Sequence, residues 1–332
     1  MVGRTFVLGG SGQIGRAIVL ALIEAGWTVT SGQRDVSSLP ETLRARGVVP
    51  VALDREDSPA LRDALAGGFD AVIDTVAYTA AHAHQWLDLQ DRVGALAVIS
   101  TGSVYADDQG RTLDEARETG FPVFPVPIPE SQPRTAPGDA TYSTRKVAME
   151  DVLLEGARVP LTILRPFAVH GPGCRAPREW WFIARALAGV AEIPLAFEGL
   201  SRFHTSATAN IAELCRVALE AGGSHVLNAA DPEALSVAEI GQAILDAMRS
   251  SARLAPFAGA AKGLRGRTPW SVEQPLVADM SAALALGYRP VTDYRAAMGV
   301  TCEALVEAAR GRDWREAFPG LAGYPAAMFE VG

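Results

Sequence analysis

The first half of the chain alternates short apolar runs with segments of helical periodicity. The apolar runs are nearly continuous, which is typical of parallel strands that helices cover on both faces. Between most of them, apolar residues recur every three or four positions and predict helices. Strands are predicted at residues 4–8, 28–32, 48–53, 71–75, 95–101 and 161–165. This order of elements predicts an α/β fold with a doubly wound parallel sheet.

The pattern changes after Arg165, where aromatic residues interrupt the alternation. Helical periodicity returns at residues 209–221, 236–248 and 301–309. We therefore predict two unequal domains. The first spans residues 1–166 with a return segment around residues 205–229, and the smaller second domain combines residues 167–204 and 230–332.

A long proline-rich segment spans residues 106–140. Loops of this length inside a compact domain are usually functional or disordered. The segment follows the strand that ends at Thr101, so it crosses the edge of the sheet where ligands bind. We expect a partly ordered wall or lid of the ligand cleft rather than a mobile insert.

A glycine-rich loop joins the first strand to the first predicted helix, with Gly9, Gly12 and Gly15 spaced as G-x-x-G-x-x-G. Glycines there let the backbone turn tightly and approach a pyrophosphate, and the helix N-terminus attracts the negative charge. The chain has 32 glycines, so the position between strand and helix is what makes the spacing informative. We predict dinucleotide contacts from the loop residues Gly9, Ser11, Gly12, Gln13, Ile14 and Gly15.

The candidate catalytic residues are a hydroxyl at a strand end and a later Tyr-x-x-x-Lys. Thr101 ends the fifth predicted strand, and Tyr142 and Lys146 follow about forty residues later. On a helix, residues four apart share a face, so the ammonium is expected to lower the phenol pKa from about 10. Tyr142 would then serve as a general acid or base. Ser103 is a reserve hydroxyl for the same pocket.

Composition narrows the class of protein. The 332 residues are 48% hydrophobic, which is enough for a sizeable core. A net charge of -8 and the lack of a basic cluster argue against a nucleic-acid surface. No apolar stretch approaches the roughly 20 residues of a membrane span, and the N-terminus does not read as a signal peptide. Three cysteines without metal-ligand spacing predict no metal site. We expect a cytoplasmic enzyme.

Together with Leu-Arg-Pro-Phe-Ala-Val-His-Gly-Pro-Gly at residues 164–173, these motifs resemble the extended short-chain dehydrogenase/reductase family, which includes nucleotide-sugar epimerases and dehydratases. The resemblance covers roughly residues 2–230. It implies a Rossmann fold with a smaller C-terminal substrate-binding domain. It also implies that Thr101 orients the substrate oxygen, Tyr142 is the acid/base, and Lys146 binds the nicotinamide ribose. On the same resemblance, the remaining cofactor contacts are Asp54, Ala77, Tyr78 and Pro166.

The chain departs from the family where sugar nucleotides are recognised. Ala168 stands where those members commonly have Asn, and Arg202 is displaced in register before His204. Arg202, His204 and Ser103 remain candidate substrate residues, although a structural role is the simpler interpretation of His204. Dehydratases place Asp-Glu after the catalytic Thr, whereas Gly102 and Ser103 follow here. Elimination of water from a sugar is therefore not expected.

Three functions are compatible with these residues. The first is an NAD(P)-dependent reductase or dehydrogenase that acts on a carbonyl or secondary alcohol of a small molecule. The second is an epimerase that keeps its cofactor bound through oxidation and re-reduction. The third is a non-catalytic protein that senses a dinucleotide or binds a partner, against which the intact Thr101, Tyr142 and Lys146 set argues.

The family resemblance also suggests a homodimer, paired through helices at residues 142–154 and 80–92. Trp86, Leu89 and Val93 form an apolar stripe at helical spacing that would suit such a contact. The alternative is that the stripe faces the sheet, as a covering helix requires.

The residues at the end of the second predicted strand indicate whether the chain prefers NADP(H) or NAD(H). Family members that prefer NAD usually carry Asp there, because a carboxylate accepts hydrogen bonds from both ribose hydroxyls. This chain has Gln33 and then Arg34, whose guanidinium suits a 2′-phosphate, so NADP(H) is favoured over NAD(H). The alternative is that Asp35 binds the ribose.

We predict that Arg34→Ala weakens NADP(H) binding by about ten- to a hundredfold, as expected for the loss of a hydrogen bond to a charged group, and leaves NAD(H) binding unchanged. Calorimetric titration with both cofactors measures this, with Arg46→Ala as a control. Tighter binding of NAD(H) by the unaltered protein, or an unchanged preference in Arg34→Ala, contradicts the prediction.

Overall fold

The computed structural model describes residues 3–331. Met1 and Val2, at the start of the first predicted domain and of the glycine motif, and Gly332, at the end of the second domain, lie outside the described residues. The centre is a seven-stranded parallel sheet in the order β10-β6-β5-β4-β1-β2-β3. The strands of residues 3–331 are β1 (Arg4–Leu8), β2 (Thr28–Gln33), β3 (Val49–Ala52), β4 (Ala71–Asp74), β5 (Leu96–Ile99), β6 (Leu161–Pro166), β7 (Ala168–His170), β8 (Glu192–Leu195), β9 (Thr205–Ala207), β10 (His225–Ala229) and β11 (Arg253–Pro256). Outside the large sheet, β7 pairs with β9 and β8 pairs with β11 in two small sheets.

Helices cover both faces of the sheet and, in the C-terminal part, surround a second core. They are α1 (Gln13–Glu24), α2 (Glu41–Arg44), α3 (Ser58–Ala64), α4 (Ala80–Leu89), α5 (Ala116–Thr119), α6 (Tyr142–Gly156), α7 (Trp180–Leu187), α8 (Thr208–Ala221), α9 (Val237–Ala247), α10 (Ser281–Ala285), α11 (Tyr294–Ala309) and α12 (Trp314–Ala317). Side chains alternate across each strand, so Val7 of β1 packs with α1 and α8, whereas Phe6 and Leu8 pack with α3, α4 and α6. The sheet is therefore buried on both sides, and the predicted doubly wound α/β fold is confirmed.

All six predicted strands occur, and most boundaries differ by one or two residues. The largest difference is at β5, which ends at Ile99, so Thr101 lies beyond the strand and caps the 3₁₀ turn Gly102–Val104. Helix α11 begins at Tyr294, seven residues before the predicted start. Gly299 weakens the helical pattern there, but Asp293 accepts a hydrogen bond from Ala296 N and starts the helix earlier.

The C-terminal part has a second hydrophobic core of its own. Helices α7, α9 and α11 and strands β8 and β11 surround it. Its fully buried side chains include Phe182, Ile193, Ile240, Ile244 and Trp270. Strand β10 leaves this region and pairs with β6 in the large sheet, so the chain returns to the first core before it completes the second.

The proline-rich segment is ordered and packs along the edge of the sheet. Phe124 and Ile128 are buried in a small core with Val104 and Leu276. Ile128 N donates to Val277 O at 2.7 Å, and Gln132 Nε2 donates to Ala106 O at 2.7 Å. The segment is therefore a wall of the cleft rather than a mobile insert.

A buried ion pair joins helix α6 to strand β6. Arg165 donates from Nε and Nη2 to the two carboxylate oxygens of Glu150 at 3.1 and 2.6 Å. Arg134, from the proline-rich wall, donates to the same carboxylate at 3.0 Å. Tyr105 accepts a hydrogen bond from Arg165 and donates to Asn228 on β10. The helix, the sheet and the wall therefore share one buried charge network.

The prediction that Trp86, Leu89 and Val93 form a dimer contact is wrong. Trp86, Leu89 and Val93 are 1, 3 and 6% exposed and pack inside the chain. The Trp86 indole donates to Asp74 at 2.7 Å, which directs it towards the sheet. A covering helix buries its apolar face in this way, so these residues are not available to a partner. The homodimer itself, with the helix at residues 142–154 as the other part of its interface, stays a prediction.

Across residues 3–331, no helix combines the length and apolarity that crossing a membrane requires. The same residues bring together no set of three or more His, Cys, Asp or Glu side chains that would hold a metal ion.

We predict that Glu150→Ala destabilises the protein by about 3–5 kcal/mol, because it leaves Arg165 as an uncompensated charge in the interior. Urea denaturation followed by tryptophan fluorescence measures the change. The control is Asp91→Ala, which breaks an exposed pair with Arg158 and should cost less than about 1 kcal/mol. Equal effects of the two substitutions contradict the assignment.

Candidate active site

The glycine loop forms a cradle at the N-terminus of α1. Gly9 has φ +84°, a left-handed conformation that suits glycine. A Cβ on Gly15 would lie 2.1 Å from Gly9 O, so the helix packs against the loop more closely than any side chain permits. Gly12 is the N-cap residue and makes no side-chain cap, so no side chain competes for the first N–H groups of α1.

These features fit a dinucleotide pyrophosphate, since it needs close backbone approach and an uncapped helix N-terminus. Ser11 and Gln13 are in the same loop and helix start; Ser11 O accepts from Arg16 Nε at 2.6 Å, and Gln13 Nε2 donates to Gly171 O at 3.4 Å. Ile14 packs against the core under α1. The structure thus brings the six predicted loop residues together at the carboxyl edge of the sheet.

Two arginine side chains lie near the end of β2, Arg34 from the residue after the strand and Arg16 from α1. Arg34 is exposed, and Arg16 Nη2 donates to Ser38 O at 3.3 Å in the next turn, a contact that sequence reasoning missed. Gln33 is buried and accepts a hydrogen bond from Ser31 at 2.6 Å. Both carboxylate oxygens of Asp35 are within 2.7 Å of Ser37 Oγ, and hydrogen bonds from Ser37 lower the pKa of Asp35.

Asp54 and Pro166 lie at the carboxyl ends of two further strands, β3 and β6. Asp54 follows β3, is exposed, and accepts a hydrogen bond from Glu56 N at 3.0 Å. Pro166 ends β6 and is buried. Each thus follows or ends a parallel strand at the edge that carries the glycine loop.

The hydroxyl groups of Thr101, Ser103 and Ser143 form a continuous chain. Thr101 Oγ1 lies 3.1 Å from Ser103 Oγ, and Ser143 Oγ donates to Ser103 Oγ at 2.9 Å. Tyr142 is the first residue of α6, which a capping box of Thr141 and Thr144 begins. Thr101 thus lies beside the start of the helix that carries Tyr142, as the sequence predicts.

Sequence reasoning missed Ser143 and Asp114. Asp114, from the proline-rich wall, accepts the backbone N–H of Ser143 at 2.8 Å. That N–H is one of the groups at a helix start that have no partner within the helix. No motif signals this contact, because the two residues are distant in sequence and each is common in loops and helix starts.

Lys146 is 2% exposed and connects the segment after β4 to the end of β5. Its Nζ donates to Ala77 O at 2.6 Å and to Ile99 O at 2.8 Å. It also lies 4.5 Å from the centre of the Tyr78 ring and 5.7 Å from that of Tyr142. Burial lowers the pKa of Lys146 to about 8, against the opposing charges of Asp74 and Glu150.

The expectation that Lys146 lowers the phenol pKa is wrong for this arrangement of the chain. Burial, Tyr78 and Asp114 together raise the pKa of Tyr142 to about 12, and the Thr101 hydroxyl acts in the opposite direction. Two of the three ammonium protons of Lys146 are directed to carbonyl groups, those of Ala77 and Ile99. Tyr78, predicted as a cofactor contact, lies beside both catalytic candidates, with its ring 6.3 Å from that of Tyr142.

Two of the candidate substrate residues make structural contacts, and the ring of one, His204, lies 6.5 Å from that of Phe167. His204 is 3% exposed, its Nε2 bonds Asp231 O at 2.9 Å, and its Nδ1 accepts from Ala278 N at 3.1 Å. Both ring nitrogens are used, so His204 is structural, and burial lowers its pKa. Arg202 donates to Ala234 O and lines a surface cavity of about 450 Å³ in the C-terminal part. Its described contacts do not include Thr101 or Tyr142, whereas Ser103 lies within the hydroxyl chain.

Packing explains why glycine follows Thr101. A Cβ on Gly102 would lie 2.8 Å from the ring of Phe167, which is half-buried beneath the 3₁₀ turn. An acidic side chain at this position would displace the ring. The packing of Phe167 against Gly102 thus leaves no room for Asp at this position.

The comparisons with known proteins agree with this geometry. The NAD(P)H-binding family matches residues 9–170. A UDP-glucose 4-epimerase from Stenotrophomonas maltophila, with bound NAD and formylated UDP-arabinopyranose, is 19% identical, with a TM-score of 0.71 over 93% of this chain and 99% of its own. A UDP-glucose 4-epimerase from Thermotoga maritima is 19% identical, with a TM-score of 0.67 over 92% and 99% of the two chains. A dTDP-glucose 4,6-dehydratase from Bacillus anthracis in complex with NAD is 14% identical, with a TM-score of 0.68 over 96% and 99%. No curated protein matches the chain by sequence.

We predict that Gly15→Ala weakens dinucleotide binding roughly ten- to a hundredfold, because the added Cβ meets Gly9 O and displaces the loop. Calorimetry with NADP(H) and NAD(H) measures the loss. Gly299→Ala is the control, since nothing lies within 4 Å of its Cβ position and binding should not change. Normal affinity in Gly15→Ala would show that the dinucleotide does not contact this loop.

Proposed function

We propose that this protein is an NAD(P)-dependent oxidoreductase. Residues 9–170 match the NAD(P)H-binding family, and 93% of the chain is similar in fold to a UDP-glucose 4-epimerase with bound NAD. The protein transfers hydride to or from a carbonyl or secondary alcohol of a small molecule, with Tyr142 as the acid/base. The observation that carries the proposal is the convergence of Thr101, Tyr142 and Lys146 at the edge of the sheet that also holds the glycine cradle.

The nicotinamide, when bound, supplies or accepts the hydride. The chain's own residues handle the proton. Tyr142 donates its phenol proton to the carbonyl oxygen in reduction and removes the alcohol proton in oxidation. Thr101 positions the substrate oxygen within reach of that phenol. The site is partly desolvated, so the hydrogen bonds that orient the substrate are stronger there than in water.

Lys146 would hold the nicotinamide ribose. Its ammonium is already desolvated and fixed between Ala77 O and Ile99 O, so little side-chain entropy remains to be lost on binding. The same two carbonyl groups tie the helix that carries Tyr142 to the ends of β4 and β5.

We favour NADP(H) as the cofactor. Arg34 is exposed at the end of β2, and Arg16 lies beside the following turn, so two guanidinium groups are available to a 2′-phosphate. The alternative ribose ligand, Asp35, accepts the single Ser37 hydroxyl proton on one of its two oxygens and keeps further acceptor positions. The two guanidinium groups are therefore what supports the phosphate interpretation.

An epimerase with tightly bound cofactor is the alternative, because the structural neighbours include UDP-glucose 4-epimerases. The position of Arg202, away from the hydroxyl chain, does not favour a sugar-nucleotide substrate. The two functions differ in whether free cofactor is consumed. A panel of aldehydes, ketones and sugar nucleotides, followed by nicotinamide absorbance and by mass spectrometry of the cofactor bound to purified protein, separates them.

We predict that Tyr142→Phe lowers turnover by roughly 10²–10⁴-fold while cofactor affinity stays within a few fold, because the ring remains and only the proton is lost. Lys146→Ala should reduce both turnover and cofactor affinity. Steady-state kinetics and calorimetry measure the two effects. A near-normal rate in Tyr142→Phe would assign the proton to another group, and cofactor binding without turnover in any panel would support a sensing role.

A further inference from the structure

The peptide group between Ala77 and Tyr78 is held on both of its sides. Its carbonyl oxygen accepts from Lys146 Nζ at 2.6 Å, and its N–H donates to His82 Nδ1 at 2.9 Å. A trans peptide is planar, and its C=O and N–H point in opposite directions. The direction of the N–H therefore sets the direction of the carbonyl group to which Lys146 donates.

The contact with Tyr78 fixes His82 in one tautomer. A backbone N–H can only donate, so the Nδ1 that accepts it carries no proton. The ring proton is then on Nε2, which lies 2.9 Å from Glu56 Oε1 and donates to it. His82 is 6% exposed, and Arg55 Nη2 donates to its backbone carbonyl at 3.1 Å. The imidazole thus has a fixed place at the start of α4, and its one acceptor serves Tyr78.

Capping of α4 does not account for this ring contact. Thr79 is the N-cap residue, and its hydroxyl accepts from His82 N at 3.4 Å. The His82 ring instead reaches back past the cap to the backbone of Tyr78, in the loop after β4. The side chain therefore orders the loop that precedes the helix.

We propose that His82 is a positioning residue for Lys146 and acts through the Ala77–Tyr78 peptide group. The ammonium keeps both of its carbonyl acceptors only while His82 Nδ1 accepts the Tyr78 N–H. A rotated peptide would withdraw one acceptor from a buried cation, which is costly in the protein interior. The proposal deepens the proposed function and rests on it only for the assignment of Lys146 to the nicotinamide ribose.

His82 is uncharged in the pH range where Lys146 titrates. Burial and the Arg55 guanidinium lower the pKa of His82, and the charges of Glu56 and Asp74 oppose them without cancelling them. The pKa of His82 therefore lies below its ordinary value of about 6.5. Because the pKa of Lys146 is about 8, its titration can be followed while Nδ1 remains an acceptor.

The test is an NMR titration of Lys146 in the cofactor-free protein, which needs neither substrate nor turnover. The chain has two lysines, so labelling lysine with ¹³C at Cε gives two signals, and Lys262→Arg assigns them. His82→Gln removes the Nδ1 acceptor but keeps a donor near the place of Nε2. It should lower the pKa of Lys146 by about half to one unit, because a weaker hydrogen bond to the ammonium disfavours the charged form. The exposed Lys262 should titrate as before.

Two further variants separate this effect from a general loss of packing. His82→Asn keeps an acceptor oxygen near the place of Nδ1 and loses the Nε2 donor, so the pKa of Lys146 should not change. His84→Gln alters an exposed histidine of the same helix and should also have no effect. Asp74 and Glu150, whose charges raise the pKa of Lys146, are the same in all these variants.

An unchanged pKa of Lys146 in His82→Gln overturns the proposal, and so does an equal fall in His82→Gln and His82→Asn. If His82→Gln does not fold, ¹⁵N labelling of the five histidines in the unaltered protein decides the question. The signal that is lost in His82→Asn should then show the proton on Nε2, and a proton on Nδ1 overturns the proposal.

The same variants connect His82 to cofactor binding. Dinucleotide affinity should fall about two- to tenfold in His82→Gln and be retained in His82→Asn, as expected for the loss of one hydrogen bond. Equal affinity in His82→Gln and the unaltered protein would show that the peptide group does not position Lys146 for the cofactor. Failure of the proposed function appears separately, as absence of dinucleotide binding or turnover in the unaltered protein.

Discussion

Two buried charges on helix α6, one turn apart, fix the helix that carries the candidate acid/base. Lys146 holds the ends of β4 and β5 through Ala77 O and Ile99 O, and Glu150 holds β6 through Arg165. Buried charges are costly unless they are fully paired, so the helix has one position in which both are satisfied. Tyr142 precedes these anchors on the same helix, and its place beside Thr101 therefore depends on them.

The cofactor half of the site could be predicted from the sequence because its information is local. The glycine spacing lies directly between a strand and a helix, and Gly15 is required by a contact only six residues away in the chain. Likewise, the strand positions follow from continuous apolar runs, since a sheet covered on both faces leaves no polar alternation. The Tyr-x-x-x-Lys pair was predictable for the same reason, as helical geometry alone brings the two residues together.

The sequence-based predictions fail for features that depend on contacts between distant segments of the chain. An apolar stripe on a helix looks the same whether it covers a sheet or a partner, and only the fold shows that Trp86 reaches Asp74. The phenol pKa depends on where the Lys146 protons go, and the accepting carbonyl groups belong to two different strand ends. Ser143 and Asp114 could not be found from the sequence, because neither residue type is distinctive and the wall that brings Asp114 to α6 has no periodic pattern.

The proline-rich wall is attached on both of its sides. Arg134 binds Glu150 and Asp151 on α6, Ile128 is hydrogen-bonded to Val277 of the C-terminal part, and Glu130 accepts the backbone N–H of Asn228 on β10. Moving the wall as a unit would break a buried charge pair and several backbone contacts at once. The segment is therefore held in place and does not open and close about a hinge. Substitutions on the wall should thus change the contour of the cleft and leave the position of the segment as a whole unchanged.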